Sequence, residues 1–238
     1  MVKTFLKARW ENLIMANYNI DADILMPFLP QGVELDLYDG KAYVSLVGFI
    51  FKHCRIFNIP IPLMGTFEEI NLRFYVRRKV GDTYRRGVVF INETVPYKPV
   101  AWLANQLYKE HYIAIPTKHH IVLDNSIKSI QYEWKVGTSW NHIKVNATMD
   151  SREMDRGSLE EFIFEHYYGY TKISENVSQE YKINHPRWMV NDVTEKSVEC
   201  DFSGMYGIPF SHLSNKKPDS IIIAEGSDIS VDWKRQPF

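Results

Sequence analysis

Hydrophobic and polar residues alternate along most of this chain, and short turn signals separate the alternating runs. Asp39-Gly40 joins the runs 33–38 and 41–54, and Gly81-Asp82 joins the runs 66–80 and 83–95. Such dipeptides between alternating runs are typical of β-hairpins. A meander of strands is predicted over about 117–150. Further strands are predicted over 167–174, 177–185, 188–200 and 220–233.

Helical signals are few and short. Asp21 or Asp23 can cap a short helix that ends at Phe28, and the run 97–108 has helical spacing of its apolar residues. The capping box that begins at Ser158 opens a third helix. Because many strands occur without alternating helices, the sequence predicts one domain over residues 1–238. Its fold is α+β and β-dominated, with a mostly antiparallel sheet that curls toward closure and two or three short helices.

The segment 67–76 carries the most informative alternation. One face is apolar (Ile70, Leu72, Phe74, Val76), and the other is polar (Glu69, Asn71, Arg73, Tyr75). Positions four apart on a strand are separated by roughly 13 Å, so Glu69 and Arg73 need partners other than each other. This polar face meets either solvent, as antiparallel sheets allow, or the interior of a closed sheet, where it lines a cavity.

The loop at Gly81-Asp82 sets which residues lie opposite this polar face. With a two-residue loop, Arg73 faces Phe90 and Asn71 faces Asn92. A change of one residue in the loop brings Glu93 opposite Asn71 instead. Both registers give a wall of mixed polar and aromatic groups.

The composition narrows the classes of function. The chain has 28 basic and 29 acidic side chains, whereas a nucleic-acid binder normally carries a basic excess. No apolar run approaches the roughly 20 residues that span a bilayer, and scattered charges near the N-terminus do not fit a signal peptide. We therefore expect a cytoplasmic protein without a nucleic-acid or membrane partner. Cys54 and Cys200 are expected to be free thiols.

Aromatic residues make up 14% of the chain, and the strand pattern divides them into two groups. Phe49, Phe51 and Phe74 are predicted to lie in ordinary core. A second group is predicted to form the wall of a cavity, where a ring with a polar tip both packs and forms hydrogen bonds. This group comprises Tyr75, Phe90, Tyr112 and Tyr168.

Motifs for metal or nucleotide binding and for serine hydrolysis do not occur in the sequence. His119 and His120 are adjacent in a predicted strand and point to opposite faces, so no metal and no cofactor are expected. His166 and Tyr168 follow the third helix and could reach one pocket as an acid–base pair. The alternative is an ordinary junction between a helix and a strand, with both polar groups satisfied.

Several segments together resemble one protein family, the DUF2071 or YqjF-like family. The segments are Trp10-x-x-Leu13, Leu29-Pro-x-Gly-x-Glu-Leu-Asp36, Asp39-Gly-Lys-Ala-Tyr-Val44, Phe67-x-Glu-x-Asn-x-Arg-x-Tyr-Val76, Glu165-His-Tyr167, His185-x-x-Trp188 and Ser230-Val-Asp-Trp-Lys234. The family is uncharacterised and is similar in fold to acetoacetate decarboxylase. The resemblance implies a sheet closed into a cone or barrel around a central cavity.

The resemblance also implies what this chain lacks. In the decarboxylase relatives, a lysine after the central helix forms a Schiff base with the substrate. The matching stretch here is Tyr108-Lys-Glu-His-Tyr112, which places Tyr112 at the lysine position and leaves Lys109 pointing elsewhere. Schiff-base decarboxylation is therefore not expected. Where many members of the family have His and Arg, this sequence has Asn17 and Asn105.

Three functions remain open on the sequence. In the first, an enzyme acts on a small carboxylate or carbonyl compound, with Arg73 binding the anion and Glu69 as general base or acid. In the second, the same cavity binds or senses a small molecule without turnover. In the third, the aromatic residues form the interface of a homo-oligomer. The expected ligand-binding residues are Asn71, Tyr75, Phe90, Asn92, Tyr112, His166 and Tyr168.

Overall fold

The computed structural model describes residues 4–124, 126–233 and 236–238. Strands dominate the fold and belong to one sheet. The strands are β1 (Thr4–Ile20), β2 (Glu34–Leu35), β3 (Ala42–Ile56), β4 (Ile59–Pro60), β5 (Phe67–Val80), β6 (Thr83–Val95), β7 (Tyr112–Ala114), β8 (Thr117–Leu123), β9 (Ile127–Val136), β10 (Ser139–Arg152), β11 (Tyr168–Ser174), β12 (Val177–Asn184), β13 (Val190–Glu199), β14 (Ser220–Asp232) and β15 (Gln236–Pro237).

The helices are short and lie between strands. The α-helices are α1 (Ala22–Leu25), α2 (Lys98–Tyr108), α3 (Leu159–Phe164) and α4 (Phe202–Tyr206), and the 3-10 helices are Met26–Phe28 and Ile208–Asn215. The predicted caps are confirmed: the side chain of Asp21 accepts from the backbone of Asp23, and that of Ser158 accepts from the backbone of Glu161. The helices after Cys200 were not predicted, because they are too short to show a periodic apolar pattern.

Seven strands close a ring in the order β1, β3, β5, β6, β11, β12 and β14, with β14 returning to β1. This closure confirms the predicted fold class. The sheet is mixed, however, because β6 runs parallel to β7 and β11 while the other ladders of the ring are antiparallel. The hairpin of β11 and β12 joins its neighbours through short ladders. Two residue pairs join β11 to β6, and two join β12 to β14.

The remaining long strands, β8, β9, β10 and β13, extend from β14 and pack against the outside of the ring. The apolar face of β5 lies in this outer core together with Tyr132 and Trp134 of β9. Phe74 and Leu72 are fully buried there. The prediction that this face of β5 is core is therefore confirmed. A second core of apolar and aromatic side chains fills the inside of the ring.

The N-terminal strand β1 and the first predicted hairpin differ from expectation. β1 was not predicted because its residues Leu13 to Ala16 are buried on both faces, which removes the alternation that marks a strand with one exposed face. The turn at Asp39-Gly40 forms, with Tyr38 bridged to Lys41. Only Glu34–Leu35 of the preceding run is a strand, and it pairs with β5 rather than with β3.

Lys234, the last residue of the motif that begins at Ser230, lies outside the described residues. Among the helices that the structure describes, none combines the length and the apolar character needed to cross a membrane.

Candidate functional site

The polar face of β5 points into the ring. Glu69, Asn71 and Arg73 line an internal cavity of about 230 Å³. Strands β1, β3, β5, β6, β12 and β14 and helix α2 all contribute to its wall, which is largely apolar and aromatic. An engineered apolar cavity of roughly 150 Å³ binds benzene, so this cavity has room for a ligand somewhat larger than one ring. The polar face of β5 therefore lines a cavity, which was one of the two alternatives, and does not face solvent.

A bulge in the β5–β6 hairpin decides which residues of β6 enter the cavity. The strand register between the turn and Arg73 is the one expected for a two-residue loop, so Arg73 faces Phe90. The register then shifts between Leu72 and Arg73, so Asn71 faces Glu93 instead of Asn92. Glu93 and Phe90 line the cavity. Asn92 points to the outer side and donates to the backbone oxygen of Met205 at 2.8 Å, so its predicted role at the cavity is wrong.

Three glutamates with buried side chains, Glu69, Glu93 and Glu110, line the cavity. The amide of Asn71 donates to Glu69 Oε1 at 3.0 Å, and the Tyr112 hydroxyl donates to Glu69 Oε2 at 3.2 Å. Glu110 accepts hydrogen bonds from two residues of the β11–β12 hairpin. The donors are Thr171 Oγ1 at 2.5 Å and Tyr181 Oη at 3.0 Å.

Burial favours the protonated forms of all three carboxyl groups, and repulsion from neighbouring carboxylates adds to this effect for Glu69 and Glu93. Burial raises the pKa of Glu69 to about 7, and the charge of Glu110 adds to that rise, while Asn71, Tyr112 and Arg73 oppose it. Burial also raises the pKa of Glu110 to about 7. The pKa of Glu93 is raised well above its ordinary value, by burial and then by the charges of Glu69 and Glu110. The cavity can therefore hold or release protons near neutral pH.

Four buried polar atoms of residues at the cavity have no hydrogen-bond partner among the described residues. They are Glu93 Oε2, Asn71 Oδ1, Arg73 Nε and Trp10 Nε1. One terminal nitrogen of Arg73, Nη2, lies 3.4 Å from Met15 Sδ and 3.4 Å from the backbone oxygen of Ile163. Because native proteins satisfy most buried polar groups, unpaired atoms that line a cavity mark positions where a ligand can bind.

Asn105 and Asn17, the two departures from the usual family pattern, both form side-chain hydrogen bonds. Asn105 in α2 holds the backbone of Tyr112 on both sides, accepting from its nitrogen at 2.7 Å and donating to its oxygen at 2.9 Å. Tyr112 is thereby fixed in β7 with its hydroxyl toward Glu69. The Asn17 side chain accepts from Ser45 Oγ, which also bonds the hydroxyl of Tyr75.

Tyr75, His166 and Tyr168 are not among the described residues that line the cavity. Tyr75 and His166 pack together in the inner core, with ring centroids 4.8 Å apart. His166 Nε2 lies 3.2 Å from Asp36, and burial lowers the pKa of His166 to about 4, so its ring is neutral at neutral pH. Tyr168 packs against the outer core instead. The structure therefore does not bring His166 and Tyr168 together as an acid–base pair.

Sequence reasoning missed Glu110, Thr171 and Tyr181. Glu110 enters the cavity because Lys109 ends helix α2 in the left-handed conformation, with φ of 59°. That turn leaves the Lys109 side chain exposed and the next residue buried. Thr171 and Tyr181 contact Glu110 because the β11–β12 hairpin closes the ring. No local sequence pattern predicts that closure. No lysine is found among the described residues that line the cavity.

The model of the DUF2071 family, described as an uncharacterized conserved protein, matches residues 7–228. This chain belongs to the DUF2071 family. The uncharacterized protein YqjF of Bacillus subtilis (strain 168) is 35% identical over 75 residues. That match spans 31% of this chain and 31% of the relative's length.

Solved structures of acetoacetate decarboxylase-like enzymes share the fold. Acetoacetate decarboxylase from Legionella pneumophila matches with a TM-score of 0.65 and 13% identity, over 96% of this chain and 85% of that one. An acetoacetate decarboxylase-like enzyme from Sphingomonas wittichii RW1 has a TM-score of 0.63 and 11% identity, over 100% and 94%. The enduracididine biosynthesis enzyme MppR, complexed with pyruvate, has a TM-score of 0.64 and 12% identity, over 100% and 91%. At this identity the likeness shows the fold alone.

Proposed function

We propose that this protein is an enzyme that binds a small carbonyl or carboxylate compound in the ring cavity and exchanges a proton with it. Arg73 binds an oxygen of the ligand, and Glu69 takes the proton from the carbon beside the carbonyl group. The observation that carries the proposal is that both side chains line the same cavity. A guanidinium suits the binding of a carbonyl or carboxylate oxygen, and a buried carboxylate suits proton transfer.

The chemistry balances with these two groups. The carboxylate of Glu69 accepts the proton, and the electron pair of the broken C–H bond moves to the carbonyl oxygen, which becomes an enolate. The guanidinium of Arg73 stabilises that negative charge, and its unpaired Nε is the available donor. The proton held by Glu69 exchanges with solvent, and Glu69 then delivers a solvent-derived proton, or a deuteron in D₂O, to the same carbon as the enolate collapses to the carbonyl compound. The pKa of Glu69, about 7, places this carboxyl where it can both accept and release a proton near neutral pH.

Asn71 and Tyr112 act on the ligand through Glu69. Each donates a hydrogen bond to one of its carboxylate oxygens, which fixes the orientation of the carboxylate in the cavity. Phe90 lies opposite Arg73 and provides an apolar surface beside the guanidinium. This arrangement leaves Glu69 held on one side and open to the cavity on the other.

The test follows exchange of the methyl protons of pyruvate in D₂O by proton NMR. Pyruvate is chosen because MppR, which shares the fold, has been crystallised with it. We expect the protein to accelerate loss of the methyl signal over buffer. Glu69→Gln should reduce the protein-dependent rate about 10²–10⁴-fold, since a positioned general base contributes that much.

Glu68 offers a matched control on the same strand. It is the neighbouring glutamate, but it points to the outer side, where it accepts from Thr117 Oγ1 at 2.8 Å and contacts His119. Glu68→Gln should leave the exchange rate close to that of the native protein. The proposal fails if pyruvate exchanges no faster than in buffer, or if the two substitutions have equal effects.

Non-catalytic binding is the second candidate function. It is favoured because the described cavity wall lacks a reactive nucleophile. Burial raises the pKa of the Cys54 thiol to about 12, so this cysteine at the cavity wall is a poor nucleophile. The described part of the wall also offers no lysine for covalent catalysis. A ligand that binds tightly, and is recovered unchanged and without deuterium, would establish binding in place of turnover.

A further inference from the structure

More carboxyl groups than cationic groups line the cavity. Glu69, Glu93 and Glu110 line it, and Arg73 is the one cationic side chain among the described lining residues. The Arg73 guanidinium is directed toward Met15 and Ile163 rather than to a carboxylate. The side-chain hydrogen bonds to Glu69 and Glu110 come from neutral donors, which are Asn71, Tyr112, Thr171 and Tyr181.

Glu93 and Asn71 supply the most informative atoms in this region. They lie opposite each other on β6 and β5, and their exposed fractions are 3% and 2%. Neither Glu93 Oε2 nor Asn71 Oδ1 has a partner among the described residues, and both oxygens accept hydrogen bonds when Glu93 is ionised. A buried acceptor without a partner destabilises the protein, so a ligand that donates to these two oxygens recovers that loss.

We propose that the ligand of this cavity carries a protonated nitrogen, which donates hydrogen bonds to Glu93 and Asn71. The inference rests on the proposed function only in that the ring cavity is the ligand site. An ammonium group supplies up to three donors and a positive charge. The donors match the two unpaired oxygens, and the positive charge matches the ionised form of Glu93. The nitrogen and the oxygen held by Arg73 then occupy separate ends of one small molecule.

The spacing and the walls favour an organic cation over a metal ion. The described histidine, cysteine, aspartate and glutamate side chains form no group of three that could hold a metal. The walls contain Phe49, Phe51 and Phe67, which suit the apolar part of an alkylammonium ion and attract its charge through their ring faces. A volume of about 230 Å³ accommodates a short carbon chain with its ammonium group.

The test compares three probes of similar size that differ in charge: n-butylammonium, 1-butanol and butyrate. Their dissociation constants are measured at neutral pH by calorimetry and by NMR titration on the native chain, Glu93→Gln, Asn71→Leu and the control Glu68→Gln. We expect n-butylammonium to bind about tenfold or more tightly than 1-butanol, since hydrogen bonds to charged groups contribute about 1.5–3 kcal/mol. Butyrate should bind most weakly.

Glu93→Gln should abolish the preference for n-butylammonium while 1-butanol binds as before, and Glu68→Gln should retain the preference. If Glu93→Gln does not fold, Asn71→Leu gives the same comparison and should reduce the preference. The inference is overturned if 1-butanol binds as tightly as n-butylammonium in the native protein, if the preference survives both cavity substitutions, or if none of the probes binds.

Deuterium exchange into pyruvate is measured separately, so the two proposals can fail independently. If pyruvate exchanges its protons but n-butylammonium is not preferred, only the inference about a cationic ligand is overturned. If n-butylammonium is preferred but pyruvate does not exchange its protons, only the proposal of an enzyme is overturned.

Discussion

Asn71 and Glu93 face each other across β5 and β6, and each has one side-chain oxygen without a partner in the described structure. The backbone ladder keeps the two residues opposite each other, so both side chains enter the same part of the cavity. Because the pair is buried, bulk solvent screens it only weakly. The native protein therefore carries an electrostatic cost at this position, and substitutions can relieve it.

Replacing Glu93 should stabilise the protein at alkaline pH. The raised pKa means that the folded protein holds a proton which the unfolded chain releases above its ordinary pKa of 4.5. The folded state thus binds more protons, and the free energy of unfolding falls as pH rises. Glu93→Gln removes this loss. At about pH 8 we expect the variant to be more stable than the native protein by about 1–3 kcal/mol.

Urea unfolding at about pH 5 and pH 8 checks this expectation, with the two proteins nearly equal at the lower pH. The lowered pKa of His166 makes both proteins less stable as pH falls below about 6.5, and this contribution cancels in the difference between them. A variant less stable than the native protein at pH 8 would show that Glu93 is ionised and has a partner in the folded state.

Tyr112 should control the pH at which Glu69 acts. Its hydroxyl donates to Glu69 and lowers the pKa of that carboxyl, so Tyr112→Phe raises this pKa further. If ionised Glu69 is the base, the rising limb of the exchange rate should move to higher pH, by up to about one unit. Tyr132→Phe is the control, because the Tyr132 hydroxyl bonds the backbone of Asn12 in the outer core. An unchanged limb in Tyr112→Phe argues against Glu69 as the base.

The substitution Asn92→Ala tests the register shift at the bulge in the β5–β6 hairpin. The amide of Asn92 donates to the backbone oxygen of Met205 on the outer side of the ring. Asn92→Ala should therefore lower the free energy of unfolding by about 1 kcal/mol and leave the affinity for n-butylammonium unchanged. Denaturant unfolding and the same NMR titration measure the two effects. Weaker probe binding in Asn92→Ala would place this residue at the cavity and contradict the register.

Borohydride should trap no adduct between pyruvate and this protein. Lys109, nearest in sequence to the position of the Schiff-base lysine in the decarboxylases, is exposed. Intact-mass spectrometry after borohydride treatment should show only the unmodified mass, with Lys109→Ala behaving like the native chain. A pyruvate adduct that maps to any lysine would restore a covalent mechanism.

Much of the strand pattern was predictable from sequence, because alternation is a local property. The hairpin of β5 and β6 has the predicted ends, and the division of β5 into an apolar and a polar face is correct. The bulge was not predictable: it changes the register by one residue within a continuous run, and neither Ile91 nor Asn92 marks the position.

Some of the residues that line the cavity could be predicted, because local alternation also places them on one face of a strand. Glu69, Asn71 and Arg73 share one strand, so period-two alternation groups them. Glu110 follows a helix and points inward only because of the left-handed turn at Lys109. His166 was assigned to the cavity because it lies near Tyr168 in sequence, but its partner Asp36 comes from a distant part of the chain. Contacts of this kind depend on tertiary structure.

The hairpin of β11 and β12 is the side of the ring with the least backbone support, since two residue pairs join it to each neighbour. Glu110 adds hydrogen bonds to Thr171 on β11 and Tyr181 on β12 from inside the cavity. One buried carboxyl group therefore both borders the ligand space and fastens the wall that encloses it. Any solute that competes for the oxygens of Glu110 also loosens that wall, so occupancy of the cavity and closure of the ring are thermodynamically linked.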